Sequence, residues 1–114
     1  MIVDDDRTTC SLLQTLLELD GFEVVLVNQG GEVLAAATEQ KPDLILMDYY
    51  LSDVKGSDIL KGLREQPDFA DLPIVMTSGL DVQAEVMVYG ATDFLPKPFE
   101  PSHLPILFNK LIDG

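Results

Sequence analysis

Asp43-Leu44-Ile45-Leu46-Met47-Asp48-Tyr49-Tyr50 is the stretch whose reading decides the fold. It is a continuous apolar run opened by Pro42 and closed by a carboxylate, the pattern of a buried strand. Leu, Ile, Leu and Met in succession leave no polar side, so both faces must be covered, as in a parallel sheet with helices above and below. In open parallel sheets ligands sit in the crevice beyond the carboxyl ends of the strands. Asp48 stands at that end of what reads as the central strand.

Working outward, the chain alternates strand and helix. Met1-Ile2-Val3 is an apolar stub ahead of Asp4-Asp5-Asp6. It is short against the usual ~5–6 residues of a strand, which leaves room for residues ahead of Met1. From Arg7 to Asp20, Leu12, Leu13, Leu16, Leu17 and Leu19 follow helical spacing, and Gly21 supplies a left-handed stop. Phe22 to Val27 is rich in β-branched and aromatic residues and predicts the second strand. Gly30-Gly31 precedes a helix from Glu32 to Gln40 with Val33, Leu34 and Ala37 inward. Beyond the central strand, Ser52, Asp53 and Gly56 form a turn set. A helix from about Ser57 to Glu65 follows, with Ile59, Leu60 and Leu63 on one side. Pro67 and Pro73 bracket a loop before the strand Ile74–Thr77, which ends at Ser78-Gly79.

A short helix is expected from Val82 to Tyr89, and a fifth strand from Thr92 to Leu95, ending at Pro96-Lys97-Pro98. The last helix is expected to start at His103, not at Pro101. With Ser102 as its N-cap, Pro105 falls in the first turn, where a missing N–H has no partner to lose. Five such β-then-α units predict a parallel sheet with right-handed crossovers and helices on both faces.

Composition narrows the function. A chain of 114 residues, 46% apolar, supports one domain with a single core. Its net charge of −13, from 7 basic and 20 acidic residues, argues against nucleic acid or an anionic membrane as a direct partner. One cysteine, Cys10, excludes an internal disulfide and fits a reducing, cytoplasmic setting. It reads as a small hydrophobe on the first helix. The lone His103 reads as a surface residue. No apolar run approaches the ~20 residues of a membrane span. Three adjacent carboxylates, Asp4-Asp5-Asp6, are either a solvated turn or a cation site, and composition alone favours the turn.

The strand ends change that balance. They bring Asp4 and Asp5, Asp48, Ser78 and Lys97 to one edge of the sheet. Carboxylates directed at one point repel by several kcal/mol per pair at ~4 Å and intermediate dielectric. A hard, octahedral, oxygen-liganded ion such as Mg²⁺ resolves that repulsion. A hydroxyl and an ammonium beside it complete a pocket for a tetrahedral anion. The sum is a phosphoryl site with a carboxylate at its centre, and an aspartate can itself be the nucleophile.

Four segments then carry a family resemblance: Val3-Asp4-Asp5-Asp6, Asp43 through Asp48, Pro73 through Gly79, and Phe94-Leu95-Pro96-Lys97-Pro98-Phe99. Together they span nearly the whole chain, in order. Each alone is weak. As a set they resemble the receiver domain of two-component response regulators.

The resemblance implies a flavodoxin-like doubly wound α/β sandwich over residues 1–114. Its five-stranded parallel sheet would have order 2-1-3-4-5, with five helices. It implies that Asp48 accepts a phosphoryl group from a histidine kinase or histidine phosphotransfer protein. Asp5 and Asp48 would bind Mg²⁺ directly, Asp4 mainly through water, and the Tyr50 carbonyl would be a further ligand. Ser78 would bond a phosphoryl oxygen and Lys97 would pair with another, a cis Lys97–Pro98 bond aiming the lysine inward. Alignment on Pro73 selects Ser78 over Thr77, which falls in the strand interior. Phe94 takes the aromatic switch position that reorients with the hydroxyl residue. Signalling to an output domain or effector would use the face of the fourth helix, fifth strand and fifth helix. Tyr50 and Leu80 would overhang the path of an attacking water. Neither can orient that water, which implies slow loss of the phosphoryl group.

Two departures stand out. Ser52 replaces a frequent proline. The segment from Ser78 to Gly90 is about three residues short of the family pattern, most of a turn at 3.6 residues per turn, so the fourth helix should be short. Other readings are weaker. A degenerate receiver, binding partners without phosphorylation, would have no need of all five site residues. A haloacid-dehalogenase-type phosphatase wants an aspartate where Tyr50 stands. A flavin or nucleotide binder of this fold wants a glycine-rich loop after the first strand.

Overall fold

Alternate residues of the central run face opposite layers. In the computed structural model, which describes residues 1–113, Leu44 and Leu46 pack with Cys10, Leu13, Leu17, Leu104 and Phe108. Ile45, Met47 and Tyr49 pack with Val33, Ala37, Leu60, Leu63 and Val86 on the other side. Both faces are covered, which is why the sequence shows no apolar–polar alternation there.

Five parallel strands make the sheet: β1 (Ile2–Val3), β2 (Leu26–Val27), β3 (Ile45–Asp48), β4 (Ile74–Ser78) and β5 (Asp93–Pro96). Their order is β2-β1-β3-β4-β5, with β3 at the centre, as expected. Helices α1 (Arg7–Leu19) and α5 (Leu104–Asp113) cover one face. Helices α2 (Val33–Gln40), α3 (Gly56–Glu65) and α4 (Gln83–Val88) cover the other. Register aligns the reactive ends: Asp48 lies opposite Thr77, and Ser78 opposite Pro96. Helix α4 has six residues and is the shortest of the five, in line with the shortened segment.

Several local expectations are corrected. The ladder of β2 covers Leu26–Val27, not Phe22–Val27. Its neighbour β1 is two residues long, so Phe22 to Val24 have no strand to pair with, although Val25 still accepts from the Ile2 amide at 2.8 Å. Leu34 is exposed, because Val33 and Ala37, four residues apart, already fill the inward stripe of α2. On α1 the inward residues are Cys10, Leu13 and Leu17, whereas Leu12 and Leu19 are 52% and 80% exposed. A 3-10 turn, Gly30–Glu32, leads into α2.

The last helix also begins differently. Helical winding starts at Pro101, as a 3-10 turn Pro101–His103 flanked by Glu100, and α5 follows from Leu104. The fixed φ of Pro101 suits that first position, and Pro105 still falls in the first α turn, so neither missing N–H breaks a bond. The stop after α1 is as predicted, with Gly21 at a φ of 89°. Cys10 is buried and His103 exposed, both as expected.

Candidate functional site

The carboxyl ends of β1, β3 and β5 bring Asp4, Asp48 and Lys97 together. The Lys97 ammonium donates to Asp48 Oδ2 at 2.9 Å and lies 3.7 Å from Asp4 Oδ2. Burial pulls the Lys97 pKa down, but the hydrogen bond to Asp48 and the charges of Asp48 and Asp4 outweigh it. The net result is a pKa above the ordinary lysine value. Lys97 is therefore a fixed cation between two carboxylates. Its backbone N–H donates to the Ser78 carbonyl at 2.9 Å, tying the ends of β5 and β4. The Lys97–Pro98 bond is cis, as the resemblance implies.

The three consecutive aspartates divide their work. Asp4 is buried, and burial raises its pKa against the opposing pull of the Asp6 amide and Lys97. Its Oδ1 accepts from the Asp6 N–H at 2.9 Å. Asp5 is exposed beside it. Asp6 is the N-cap of α1, accepting from the Thr8 and Thr9 amides and, at 2.9 Å, from the Thr9 hydroxyl. The turn is held from behind: the Cys10 thiol at 3.3 Å and the Asn28 amide at 3.1 Å both donate to the Asp4 carbonyl.

Asp48 Oδ1 accepts from the Tyr50 N–H at 3.2 Å, which folds the loop back over the strand end. Helix α3 begins at Gly56 against this point. A Cβ there would collide with the Asp48 carbonyl oxygen, and the Gly56 N–H donates to Tyr49 at 2.6 Å. Only glycine permits that approach. Ser78 is buried, its hydroxyl accepting from the Leu80 N–H at 3.1 Å. Thr77 is strand interior and donates its hydroxyl to the Leu95 carbonyl at 2.6 Å. Phe94 is buried in the core on the α4 side. Tyr50 and Leu80 rim the site, 50% and 57% exposed, with the Tyr50 ring edge-on to Tyr49 at 4.8 Å.

Sequence reasoning missed four participants: Asn28, the Cys10 thiol, Asp53 and the Tyr49 hydroxyl. Asp53 accepts from the Gly30 and Gly31 amides, and Tyr49 donates to Glu85 Oε2 at 2.6 Å. Tyr49 carried a signal, since a tyrosine in an otherwise aliphatic run needs a partner for its hydroxyl.

Among the described residues, no three His, Cys, Asp or Glu side chains converge closely enough to hold a metal unaided. The donor set nevertheless fits Mg²⁺. Asp4, Asp5, Asp48 and the Tyr50 carbonyl offer only hard oxygens, and a cation already stands between two of the carboxylates in the form of the Lys97 ammonium.

A profile of the response regulator receiver domain matches residues 1–109. The chain is 36% identical over 104 residues to the alkaline phosphatase synthesis transcriptional regulatory protein PhoP of Bacillus subtilis, covering 89% of this chain and 42% of PhoP. It is 33% identical over 107 residues to the DNA-binding response regulator MtrA of Mycobacterium tuberculosis, covering 91% and 46%. It thus spans less than half the length of these curated relatives. The receiver domain of the Francisella response regulator 1452 superposes with a TM-score of 0.91 at 29% identity, over 98% of this chain and 93% of that one. The receiver domain of the sensor histidine kinase PA1611 of Pseudomonas aeruginosa, with a magnesium ion coordinated in its active site cleft, gives 0.89 at 27% identity, over 99% and 95%.

Proposed function

Because the chain belongs to the response regulator receiver domain family, we propose that its 114 residues act as one phospho-accepting switch with Asp48 as the acceptor. The observation that carries this reading is the 2.9 Å contact between Lys97 and Asp48 at the carboxyl edge of the sheet, beside the buried Asp4. A carboxylate oxygen of Asp48 attacks the phosphorus of a phosphohistidine on a histidine kinase or phosphotransfer protein. The phosphorus–nitrogen bond breaks, and the electron pair leaves with the imidazole. Asp48 is presented by a strand end, and its carboxylate is oriented by the Tyr50 amide and the Lys97 ammonium. Positioning of this kind supplies most of the catalysis in phosphoryl transfer.

Lys97 and the Ser78 hydroxyl, at the ends of adjacent strands, would hold the oxygens of the product. The relative with magnesium in its active site cleft supports Mg²⁺ as the ion, and here Asp5, Asp48, the Tyr50 carbonyl and, through water, Asp4 would hold it. Bound Mg²⁺ would neutralise charge on the transferring group. Asp48 is a phosphoryl acceptor, so the domain acts as a switch with at most slow autodephosphorylation, not as an enzyme. No helix among the described residues is long and apolar enough to cross a membrane. Output to a further domain or effector is in keeping with relatives named as transcriptional regulators.

Incubation with acetyl phosphate and Mg²⁺, followed by intact mass, tests the reading. One added phosphoryl group is expected, absent with chelator and absent in Asp48→Asn. No addition to the wild type, or equal addition to Asp48→Asn, overturns it. Slow hydrolysis, roughly tenfold or about 1.4 kcal/mol, is also expected, because neither Tyr50 nor Leu80 carries an acid or amide that could orient an attacking water. Tyr50→Asn should shorten the phosphoryl half-life, and equal decay in both proteins would contradict this.

A further inference from the structure

The groups of the site differ in how they are anchored. Asp48 and Ser78 belong to β3 and β4, and Lys97 directly follows β5. The Tyr50 carbonyl, in contrast, lies on the loop between β3 and α3, two residues beyond the last residue of the strand. A carbonyl on a loop is useful to an octahedral ion only if the loop is held, because Mg²⁺ demands near-ideal geometry.

This loop is held at root and tip. At the root, Tyr50 and Lys55 form an isolated antiparallel bridge. At the tip, Asp53 spans two amides at the turn that leads into α2: Gly30 N–H donates to Oδ1 and Gly31 N–H to Oδ2, each at 2.9 Å. The partners are 23 and 22 residues away in sequence. Both bonds are charge-assisted, and amides at the opening of a helical segment favour an anion. The Asp53 carboxyl is held below its ordinary range, first by the Gly31 amide and then by that of Gly30. Apolar contact completes the joint. A Cβ on Gly30 would lie 3.0 Å from Leu51 Cδ1 and 3.1 Å from Val54 Cγ1, so the loop packs where a side chain would otherwise stand. The Gly30-Gly31 pair, legible in the sequence only as a chain break, is the socket for Asp53.

We propose that Asp53 is a positioning residue for the metal site, acting through the loop to fix the Tyr50 carbonyl. This rests on the reading of the site as a Mg²⁺-dependent phospho-acceptor. Partners that orient metal ligands are typically worth 10- to 100-fold in metal affinity. Asp53 touches no proposed ligand, so its effect has to travel through the loop backbone.

The test is a Mg²⁺ titration of the full chain by calorimetry, at a temperature where every variant is folded by circular dichroism. Wild type, Asp53→Ala, Asp53→Asn and Gly30→Ala are compared. Asp68→Ala is the charge control, since it removes an equal charge from an exposed position in the turn ahead of β4. Asp53→Ala should bind Mg²⁺ about tenfold more weakly, with faster amide exchange over Tyr50–Lys55. Asp53→Asn, which keeps one acceptor oxygen, should fall between. Gly30→Ala should weaken binding as Asp53→Ala does, because it breaks the same joint from the other side. Asp68→Ala should match the wild type. Asp53→Ala binding as tightly as wild type would overturn the positioning role while leaving the phospho-acceptor reading in place. So would Asp68→Ala losing as much affinity as Asp53→Ala. Wild type that takes up no Mg²⁺ would overturn both readings together.

Discussion

The two helical layers are fastened to the sheet by different means. Helices α1 and α5 rest on apolar contact: Cys10, Leu13, Leu17, Leu104 and Phe108 share one cluster with the strands. Phe22 meets the Phe108 ring edge-on at 6.0 Å and 86°. A thiol hydrogen bond from Cys10 adds a weak polar tie, and α5 adds no side-chain hydrogen bond among the described residues. The layer of α2, α3 and α4 also has an apolar core, but polar ties cross it. Arg64 of α3 donates to the carbonyls of Gly90 at 2.8 Å, Phe69 at 2.8 Å and Leu72 at 2.6 Å, and to the Thr92 hydroxyl at 3.2 Å. The Lys61 ammonium lies 3.9 Å from the centre of the Tyr89 ring. Tyr49 binds Glu85, and Asp53 binds the start of α2.

The difference follows from length. Helix α4 has six residues and one fully buried side chain, Val86. So short a helix is not stable on its own, and apolar burial of one valine adds only about 1.5–3 kcal/mol. Tyr49 and Glu85 hold its first turn, and Arg64 and Lys61 hold its end. The residue that anchors α4 is also the immediate neighbour of Asp48. Directional ties can be exchanged one at a time, whereas an apolar face yields only as a whole. On the proposed function, the α4 side is the layer expected to respond to a change at Asp48.

Cutting each layer at its own fastening sharpens the contrast. Phe108→Ala should have the largest effect, about 3–5 kcal/mol in urea unfolding, with α5 exchange rising alongside global stability loss. A loss below 1 kcal/mol would refute an apolar anchor there. Arg64→Met should cost less, about 2–3 kcal/mol, because it keeps most of the aliphatic stem and leaves the Phe69, Leu72 and Gly90 carbonyls without their donor. The loss should concentrate at the end of α4. Tyr49→Phe should cost about 1 kcal/mol while selectively raising amide exchange in Gln83–Val88. Exchange unchanged in α4 would mean that the hydroxyl anchors nothing.

The smallest effect is a pH dependence at the site. Burial raises the Asp4 pKa above its unfolded value, so the native state carries a penalty for the charged form at neutral pH. That penalty is present above the raised pKa and is relieved as pH falls through it. Asp4→Asn should therefore be more stable than wild type at pH 7, with the gap closing in acid. A gap that widens toward low pH would contradict the assignment.

The fold was legible because its informative residues are local. The Leu44–Met47 run declares a strand covered on both faces, and the residues that end or follow the strands place Asp4, Asp48, Ser78 and Lys97 at one edge without any knowledge of packing. What escaped depends on distant partners. Asp53 reads as a turn residue until the Gly30 and Gly31 amides, more than twenty positions away, are brought to it. Asn28 and Cys10 come together at the Asp4 carbonyl, where the Asn28 amide also donates to the Cys10 thiol at 3.7 Å. The β propensity of Phe22–Val25 is real, but a ladder needs a neighbour, and the two residues of β1 are in register only with Leu26 and Val27. The helix start is hard to read because two prolines compete for it: the 3-10 turn takes Pro101 and the first turn of α5 takes Pro105.

Amide hydrogen exchange, compared between phosphorylated and unphosphorylated protein in wild type and Lys97→Ala, tests the central claim most directly. The account predicts that phosphorylation of Asp48 alters exchange in Gly79–Gly90 and around Phe94. It also predicts that α1 stays unchanged, and that the difference is lost in Lys97→Ala although that variant still takes up phosphate. A difference spread equally over both layers, or one that survives intact in Lys97→Ala, would contradict it.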